Sequence, residues 1–355
     1  MKRSLRNLNL AEFEELAVSL GEKAYRGRQL SQWLFKKSFE TFDQVTDFPV
    51  LFLENLGKEY VINSLTLASR NISKEDRSVK YLFKTQDGHL IETVLILQEK
   101  RRTICLSTQV GCKMGCRFCA SGQEGFLRHL NCWEILDQIA WVKKDQKNPP
   151  TNLVYMGMGE PLDNYDAVIK SIRTANAAWG FEIGQRRITV STVGIVPGIQ
   201  RLAQENLGQI KLCFSLHSPD NAIRTKLIPS NRKYGLEEIV QTLKEVRPQF
   251  KRDITMEYIL IEGMTDRESD AEKLVKICKL LRAKVNLIPY NRIGDVDFKR
   301  PSLSRIKSFQ QFLERSNVST TVRYSAGQDI DAACGQLRLV EERKARRSSP
   351  PASAN

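Results

Sequence analysis

Three cysteines fall at a spacing that suits a metal centre better than a staple for the fold. The run Gly111-Cys112-Lys113-Met114-Gly115-Cys116-Arg117-Phe118-Cys119 reads C-x3-C-x2-C. The chain has 8 cysteines in 355 residues, too sparse for a disulfide framework. Thiolates so close together point to an iron–sulfur cluster or to zinc. Iron–sulfur clusters commonly take four cysteines, and three stand at tight spacing here. One position would then be open to an outside ligand, as in catalytic rather than structural metal sites. The competing reading is a structural zinc knuckle completed by His129 or Cys132.

A second block, Met156-Gly157-Met158-Gly159-Glu160-Pro161, joins glycines that let a backbone approach a ligand to a carboxylate able to hold an ammonium group. In isolation such a block is more often a tight turn. Cys105 and Cys334 stand apart, and a lone free cysteine is more often a small core residue. Cys132, Cys213 and Cys278 lie in or beside helical or strand runs and read as core. Glu92 lies in a strand-like run and, alone, reads equally as a solvent-facing carboxylate. His89 and His129 carry no evident chemistry.

The elements that must hold these residues alternate. Strands are predicted at Thr103–Ser107, Asn152–Met156, Arg187–Ser191, Ile210–Leu216, Ile254–Ile261 and Val285–Pro289. Helices are predicted after them, at Trp133–Val142, Tyr165–Ala178, Val196–Gln204, Leu236–Val246, Ser269–Leu281 and Ser304–Glu314. Such alternation implies an α/β fold with a parallel sheet, either barrel-like or doubly wound. In barrels of this kind chemistry gathers at the C-terminal strand ends, which is where the two motifs fall. Residues 1–60 read as a small helical unit, with Leu10, Phe13, Leu16 and Ala17 at helical spacing. A second helix, Tyr25–Phe35, carries Arg26, Arg28, Lys36 and Lys37 in or beside it, a candidate RNA-facing surface. Strands at Val79–Phe83 and His89–Leu97 flank the turn signal Asp87-Gly88.

Composition narrows the classes further. With 41% hydrophobic and 27% charged residues the chain is globular. No apolar run reaches the roughly 18–20 residues of a membrane helix, and the first residues lack a secretory h-region. The net charge of +14 is spread, with a modest excess at Arg343, Lys344, Arg346 and Arg347. It fits a phosphate-rich partner and equally a plain basic surface. The final SSPPASAN segment, Ser348–Asn355, is low-complexity and expected to be disordered.

The C-x3-C-x2-C loop and the Gly-Met-Gly-Glu block together resemble the radical S-adenosylmethionine (SAM) superfamily, whose pattern Phe118 also fits. Further blocks resemble one subgroup, the RlmN and Cfr family of RNA adenine methyltransferases. They are Ile91–Val94, Cys105–Cys112, Ser191–Gly194, Phe214–His217, Asn286–Asn291 and Asp329–Leu337. The likeness runs from about Tyr25 to Leu337. It implies a partial (β/α)6 barrel over residues 89–337, a small helical N-terminal accessory domain over 1–88 and a basic tail over 338–355.

The resemblance also implies roles. Cys112, Cys116 and Cys119 would bind a [4Fe–4S] cluster. Gly159, Glu160, Ser191, Ser215, Leu216, His217 and Asn291 would bind SAM, with the part of the His217 side chain left open. Cys334 would carry the methyl group, Cys105 would resolve a covalent RNA adduct, and Glu92 would be the general base. Two SAM molecules would be used per turnover, one to methylate Cys334 and one as the radical source. The implied substrates are 23S rRNA and tRNA, methylated at adenine C2, with an external donor of the flavodoxin type. A cytoplasmic monomer without membrane contact is expected. Pro161 resembles the C2 enzymes, whereas Cfr-type C8 enzymes tend to have Ala there. Two readings from other classes are a non-catalytic RNA-binding protein with a structural metal, and a radical SAM enzyme acting on protein or a small molecule.

Overall fold

The computed structural model describes residues 2–294 and 296–337. The tail expected from 338 onward lies outside the described residues. The chain opens with β1 (Arg3–Ser4), then α1 (Leu10–Ser19), α2 (Ala24–Gln32) and α3 (Val50–Glu59), and returns through β2 (Tyr60–Val61) to pair with β1. Asn9 and Glu12 form a reciprocal capping box that starts α1. The helix expected to end at Phe35 continues instead as a π-turn over Trp33–Lys37, which closes on Ser38 at φ 55°. Phe13, Leu30, Leu34 and Phe35 fill the space between these helices.

Four strands follow as an antiparallel meander: β3 (Thr66–Ile72), β4 (Val79–Lys84), β5 (Leu90–Gln98) and β6 (Arg101–Cys105). A short hairpin, β7 (Gln109–Gly111) and β8 (Phe126–His129), brackets α4 (Ala120–Gln123). Strands and helices then alternate: α5 (Cys132–Asp145), β9 (Asn152–Tyr155), α6 (Tyr165–Asn176), β10 (Ile188–Thr192), α7 (Val196–Gln204), β11 (Lys211–Ser215), α8 (Asn221–Leu227), α9 (Leu236–Val246), β12 (Thr255–Leu260), α10 (Glu268–Leu281), β13 (Lys284–Pro289), α11 (Leu303–Arg315) and β14 (Thr320–Val322). One sheet holds ten strands in the order β14-β13-β12-β11-β10-β9-β6-β5-β4-β3.

The run from β6 to β14 is wholly parallel. Its strands are apolar and buried, as a sheet covered by helices requires. Leu153, Ile188, Val190, Phe214, Met256, Tyr258 and Leu287 are fully buried. All six predicted strands of this run appear within a few residues, and β14 adds a seventh. The sheet also reaches back past the expected division at 88/89, because β3 and β4 are part of it. Its two outer regions meet through the C-terminal segment. Gly327 N–H donates to Asp76 at 2.7 Å, Lys74 N–H donates to Asp329 at 2.9 Å, and Lys80 Nζ donates to the Asp331 carbonyl at 3.2 Å.

A buried ion pair holds the N-terminal unit against the barrel. Arg6 (1% exposed) meets Asp137 of α5 (0% exposed) at 2.7 Å. The other Asp137 oxygen accepts from Ser64 Oγ at 2.6 Å and from the Leu65 amide at 3.1 Å. Removing one partner of such a pair strands a buried charge. Asp137→Ala is therefore expected to lower unfolding free energy by about 3–5 kcal/mol, read by urea denaturation of the two proteins.

Candidate active site

The cysteine loop crosses the C-terminal ends of the parallel strands. Its course is set by backbone bonds: the Cys112 amide to the Gly125 carbonyl at 2.7 Å, and the Arg117 amide to the Leu227 carbonyl at 2.9 Å. Met114 and Phe118 sink into an apolar cluster with Leu227, Ile228 and Ile259. Cys112 and Cys116 are buried and Cys119 is half-buried. All three thiols line one cavity. Burial, and secondarily their mutual repulsion, pushes the Cys112 and Cys116 thiols up, Cys112 to about 12. Among the described residues no three His, Cys, Asp or Glu side chains converge on a point that would hold a single metal ion. The three thiols share one cavity whose described lining includes neither His129 nor Cys132, the residues a zinc knuckle would need, so this soft donor set fits an iron–sulfur cluster.

The opposite wall is built from the strand ends. After β9 the chain turns at Gly159 with φ +101°, and a Cβ there would lie 2.6 Å from Cβ of Gln109. Only glycine suits that position, and the turn presents Glu160 to the cavity. Glu160 is buried, and its oxygens accept from the Leu162 amide at 3.1 Å and the Val193 amide at 2.9 Å. Burial outweighs those bonds and pushes its carboxyl up to about 7. Ser191 and Ser215 end neighbouring strands with hydroxyls 3.2 Å apart. His217 sits at φ +56°, with its ring 4.7 Å from that of Phe118 and its Nδ1 accepting from the Ile259 amide at 3.1 Å. Burial, then the Arg224 charge, lowers it to about 3, so the imidazole is neutral.

Two expected SAM residues stand differently. Leu216 is fully buried and its side chain does not line the cavity. Its amide donates to the Phe214 and Glu257 carbonyls. Asn291 also lies off this cavity. It donates to Ser325 Oγ at 2.8 Å and to the Cys334 carbonyl at 3.3 Å.

A second cavity joins the first at Cys119, Met156, Gly157, Arg323, Cys334 and Gly335. Cys105, the last residue of β6, and exposed Cys334 both line it. Burial, then the Cys334 charge, pushes the Cys105 thiol up to about 12. Glu92 lines neither cavity. It is 2% exposed, 3.1 Å from the Lys80 ammonium, and on the same face of β5 as Val94, which does line the second cavity. Cys132, Cys213 and Cys278 are buried, as expected of core cysteines.

Three polar residues of the site escaped the sequence reading. Arg323, just after β14, is the one cation among the described residues that line either cavity. Glu257 of β12 lines the first cavity; its Oε1 accepts from Asn286 at 2.9 Å, and the buried Cys213 thiol also bonds its carboxylate. A glutamate inside the apolar run Ile254–Ile261 was the available signal. Arg224 of α8 is fully buried and ties the strand ends together. Its guanidinium donates to the carbonyls of Val193, Ser215 and Leu216, and to Asn231.

Residues 106–275 match the radical SAM superfamily, and residues 3–62 match the ribosomal RNA large subunit methyltransferase N-terminal domain. A relative from Pelotomaculum thermopropionicum is 41% identical over 94% of this chain and 91% of its own. One from Thermotoga petrophila is 43% identical over 94% and 98%. Both are described as probable dual-specificity RNA methyltransferase RlmN. The crystal structure of a radical SAM methyltransferase from Sphaerobacter thermophilus superposes with TM-score 0.91 at 40% identity, covering 95% of this chain and 99% of that one.

The role of Arg224 can be measured. Arg224→Met would leave the Val193, Ser215 and Leu216 carbonyls without this donor. A loss on the order of 3 kcal/mol or more is expected from unsatisfied buried groups, by chemical denaturation. Stability within about 0.5 kcal/mol of wild type, the range of an ordinary surface change, would mean that other donors serve those carbonyls.

Proposed function

Because the chain belongs to the RlmN family of radical SAM RNA methyltransferases, we propose that it methylates adenine C2 in 23S rRNA and in the anticodon loop of tRNA. The observation that carries this reading is the shared wall of the two cavities. Exposed Cys334 and buried Cys105 face one space, and that space opens at Cys119 onto the pocket of the three-cysteine loop. A cytoplasmic monomer served by a flavodoxin-like reductant completes the proposal. Among the described residues no helix is long and apolar enough to cross a membrane.

An adenine C–H is not a nucleophile, so a methyl carrier is needed. A thiolate attacks a sulfonium methyl readily. Cys334 is exposed to do so, releasing S-adenosylhomocysteine and keeping the methyl on sulfur. Burial keeps Cys105 protonated, so it does not compete for that methyl. Glu160 would hold the ammonium of SAM and the Ser191 and Ser215 hydroxyls its ribose. Held by Cys112, Cys116 and Cys119, a [4Fe–4S] cluster would supply the electron that cleaves a second SAM and so activates the methyl on Cys334. The activated carbon joins the base; the odd electron of that adduct would return to the cluster that gave one up, and the C2 proton must then leave. Glu92 takes it once its contact with Lys80 opens. Cys105 sulfur then attacks Cys334 sulfur. A disulfide forms, and the electrons of the broken C–S bond stay on the new carbon, which takes a proton to become the methyl group. Two-electron reduction restores both thiols.

Nucleoside mass spectrometry of rRNA and tRNA from cells with and without the gene tests the reading. Loss of 2-methyladenosine on deletion is expected; loss of 8-methyladenosine instead would establish the C8 alternative. Cys334→Ala is expected to abolish methylation, and Cys105→Ala to accumulate a covalent protein–RNA adduct visible on a denaturing gel. A further expectation concerns pH. With its carboxyl near 7, Glu160 loses its charge as pH falls, so SAM affinity by calorimetry should drop between pH 8 and pH 6. Glu160→Gln should bind about tenfold or more weakly, the worth of one charged hydrogen bond, with that pH dependence removed.

A further inference from the structure

A wide cleft of about 730 Å³ lies beside the barrel mouth, in the segment after β13. Arg292, Lys299 and Arg300 line it and are exposed; Asp297 is the one acid among its described lining residues. The cleft is continuous with the reaction site in two ways. Asn291, on its wall, donates to the carbonyl of Cys334 at 3.3 Å. Gln336, two residues past Cys334, also lines it and donates to the Arg292 carbonyl at 3.1 Å.

Two of the three cations in this cleft are unspent; Arg300 instead donates to the Tyr290 carbonyl at 2.8 Å, to Asn291 Oδ1 at 2.8 Å and to Gln328 at 3.3 Å. Among the described residues the side chains of Arg292 and Lys299 have no hydrogen bond or ion pair. The basic residues of the N-terminal unit are different. Arg28 pairs with Glu14, Lys36 with Glu182, and Lys37 lies 3.5 Å above the Trp33 ring. Arg26 donates to Gln29 and to the Asp47 carbonyl. Cations already bound within the fold gain less from a phosphate than free ones.

Resting on the RNA-methyltransferase reading above, we propose that this cleft binds the phosphodiester backbone of an unpaired RNA segment next to the target adenine. Arg292 and Lys299 are the principal phosphate contacts. A duplex hides adenine C2 inside its stack, so the target base must be presented from an unpaired or extruded position. The backbone on either side of that base then has to run along the surface at the mouth. The cleft supplies cations there: Arg292 directly follows Asn291, which donates to the Cys334 carbonyl. Phosphate contacts of this kind fix register without reading sequence.

The test uses the full chain with its cluster reconstituted and a fluorescein-labelled RNA hairpin whose loop contains adenosine. Affinity is followed by anisotropy across a salt series for wild type, Arg292→Gln, Lys299→Gln and the double variant. Lys147→Gln is the control, an exposed lysine in the loop before β9 at the other end of the strands. The double variant is expected to bind at least about fivefold more weakly near 0.1 M salt, with the slope of log K against log salt shallower by about 0.7 per removed contact. SAM affinity should not change, since neither residue touches that cavity. Wild-type affinity and slope in the double variant, or an equal loss in Lys147→Gln, would overturn the cleft while leaving the RNA reading intact. A wild-type protein that fails to bind the hairpin would overturn both.

Discussion

A hydrogen bond of 2.7 Å runs from the Ala120 amide to the Gly335 carbonyl. It joins the residue after the last loop cysteine to the residue after Cys334. Ser121 Oγ, donating to the Leu337 carbonyl at 2.7 Å, secures the same contact one step on. Gly335 has φ +84°, and a Cβ there would lie 2.9 Å from the Phe118 carbonyl oxygen. The close approach therefore depends on glycine. Without this docking, Cys334 would belong to a free C-terminal segment. With it, the exposed sulfur stands over the pocket of the cysteine loop. The same segment is gripped on its other side by Lys74, Asp76 and Lys80 from the β3–β4 region. It acts as a strap between the two ends of the sheet, which makes the antiparallel strands part of the active-site architecture.

The charges around the first cavity have a common direction. Glu160 and Glu257 line it, both buried and both with carboxyls raised chiefly by burial. A buried carboxylate is costly unless bonded. Glu160 has two backbone amides and the Thr192 hydroxyl, whereas Glu257 has the Asn286 side-chain amide, the Cys213 thiol and the charge of Arg323 nearby. Such a pocket gains from a cationic occupant, and a sulfonium carrying an ammonium group is one. Arg323 lies where the two cavities meet, and the Cys334 charge, ahead of the opposing effect of burial, raises its guanidinium pKa further. Acidic groups thus line the first cavity, and Arg323, the one cation among the described residues lining either cavity, faces Cys334.

The parts of this arrangement legible in the sequence are those with local signatures. The cysteine spacing, the glycine-rich turn before Glu160 and the apolar parallel strands each declare themselves within about ten residues. What stayed hidden is set by distant contacts. β3 is an edge strand with mostly exposed residues, so it lacks the alternation that marks a half-buried strand. β14 has three residues, too few for any period, and Arg323 follows it. Glu92 was legible as a strand residue, but its pairing with Lys80 depends on strand register. Arg224 looks like one more surface arginine on a short helix. Only the folded chain brings it beneath three strand-end carbonyls.

Net charge is legible and still misleading about position. A total of +14 says that a polyanion is a plausible partner and nothing about where it lies. The helical unit at the N-terminus looked the better basic surface because its cations cluster in sequence. In three dimensions several of those cations are committed to acidic side chains, a carbonyl or a ring. Arg292 and Lys299 are fewer and less conspicuous, yet they are exposed, next to the strap that carries Cys334, and without internal partners among the described residues. Availability of charge at the mouth, rather than its density along the chain, is the property that counterion release rewards.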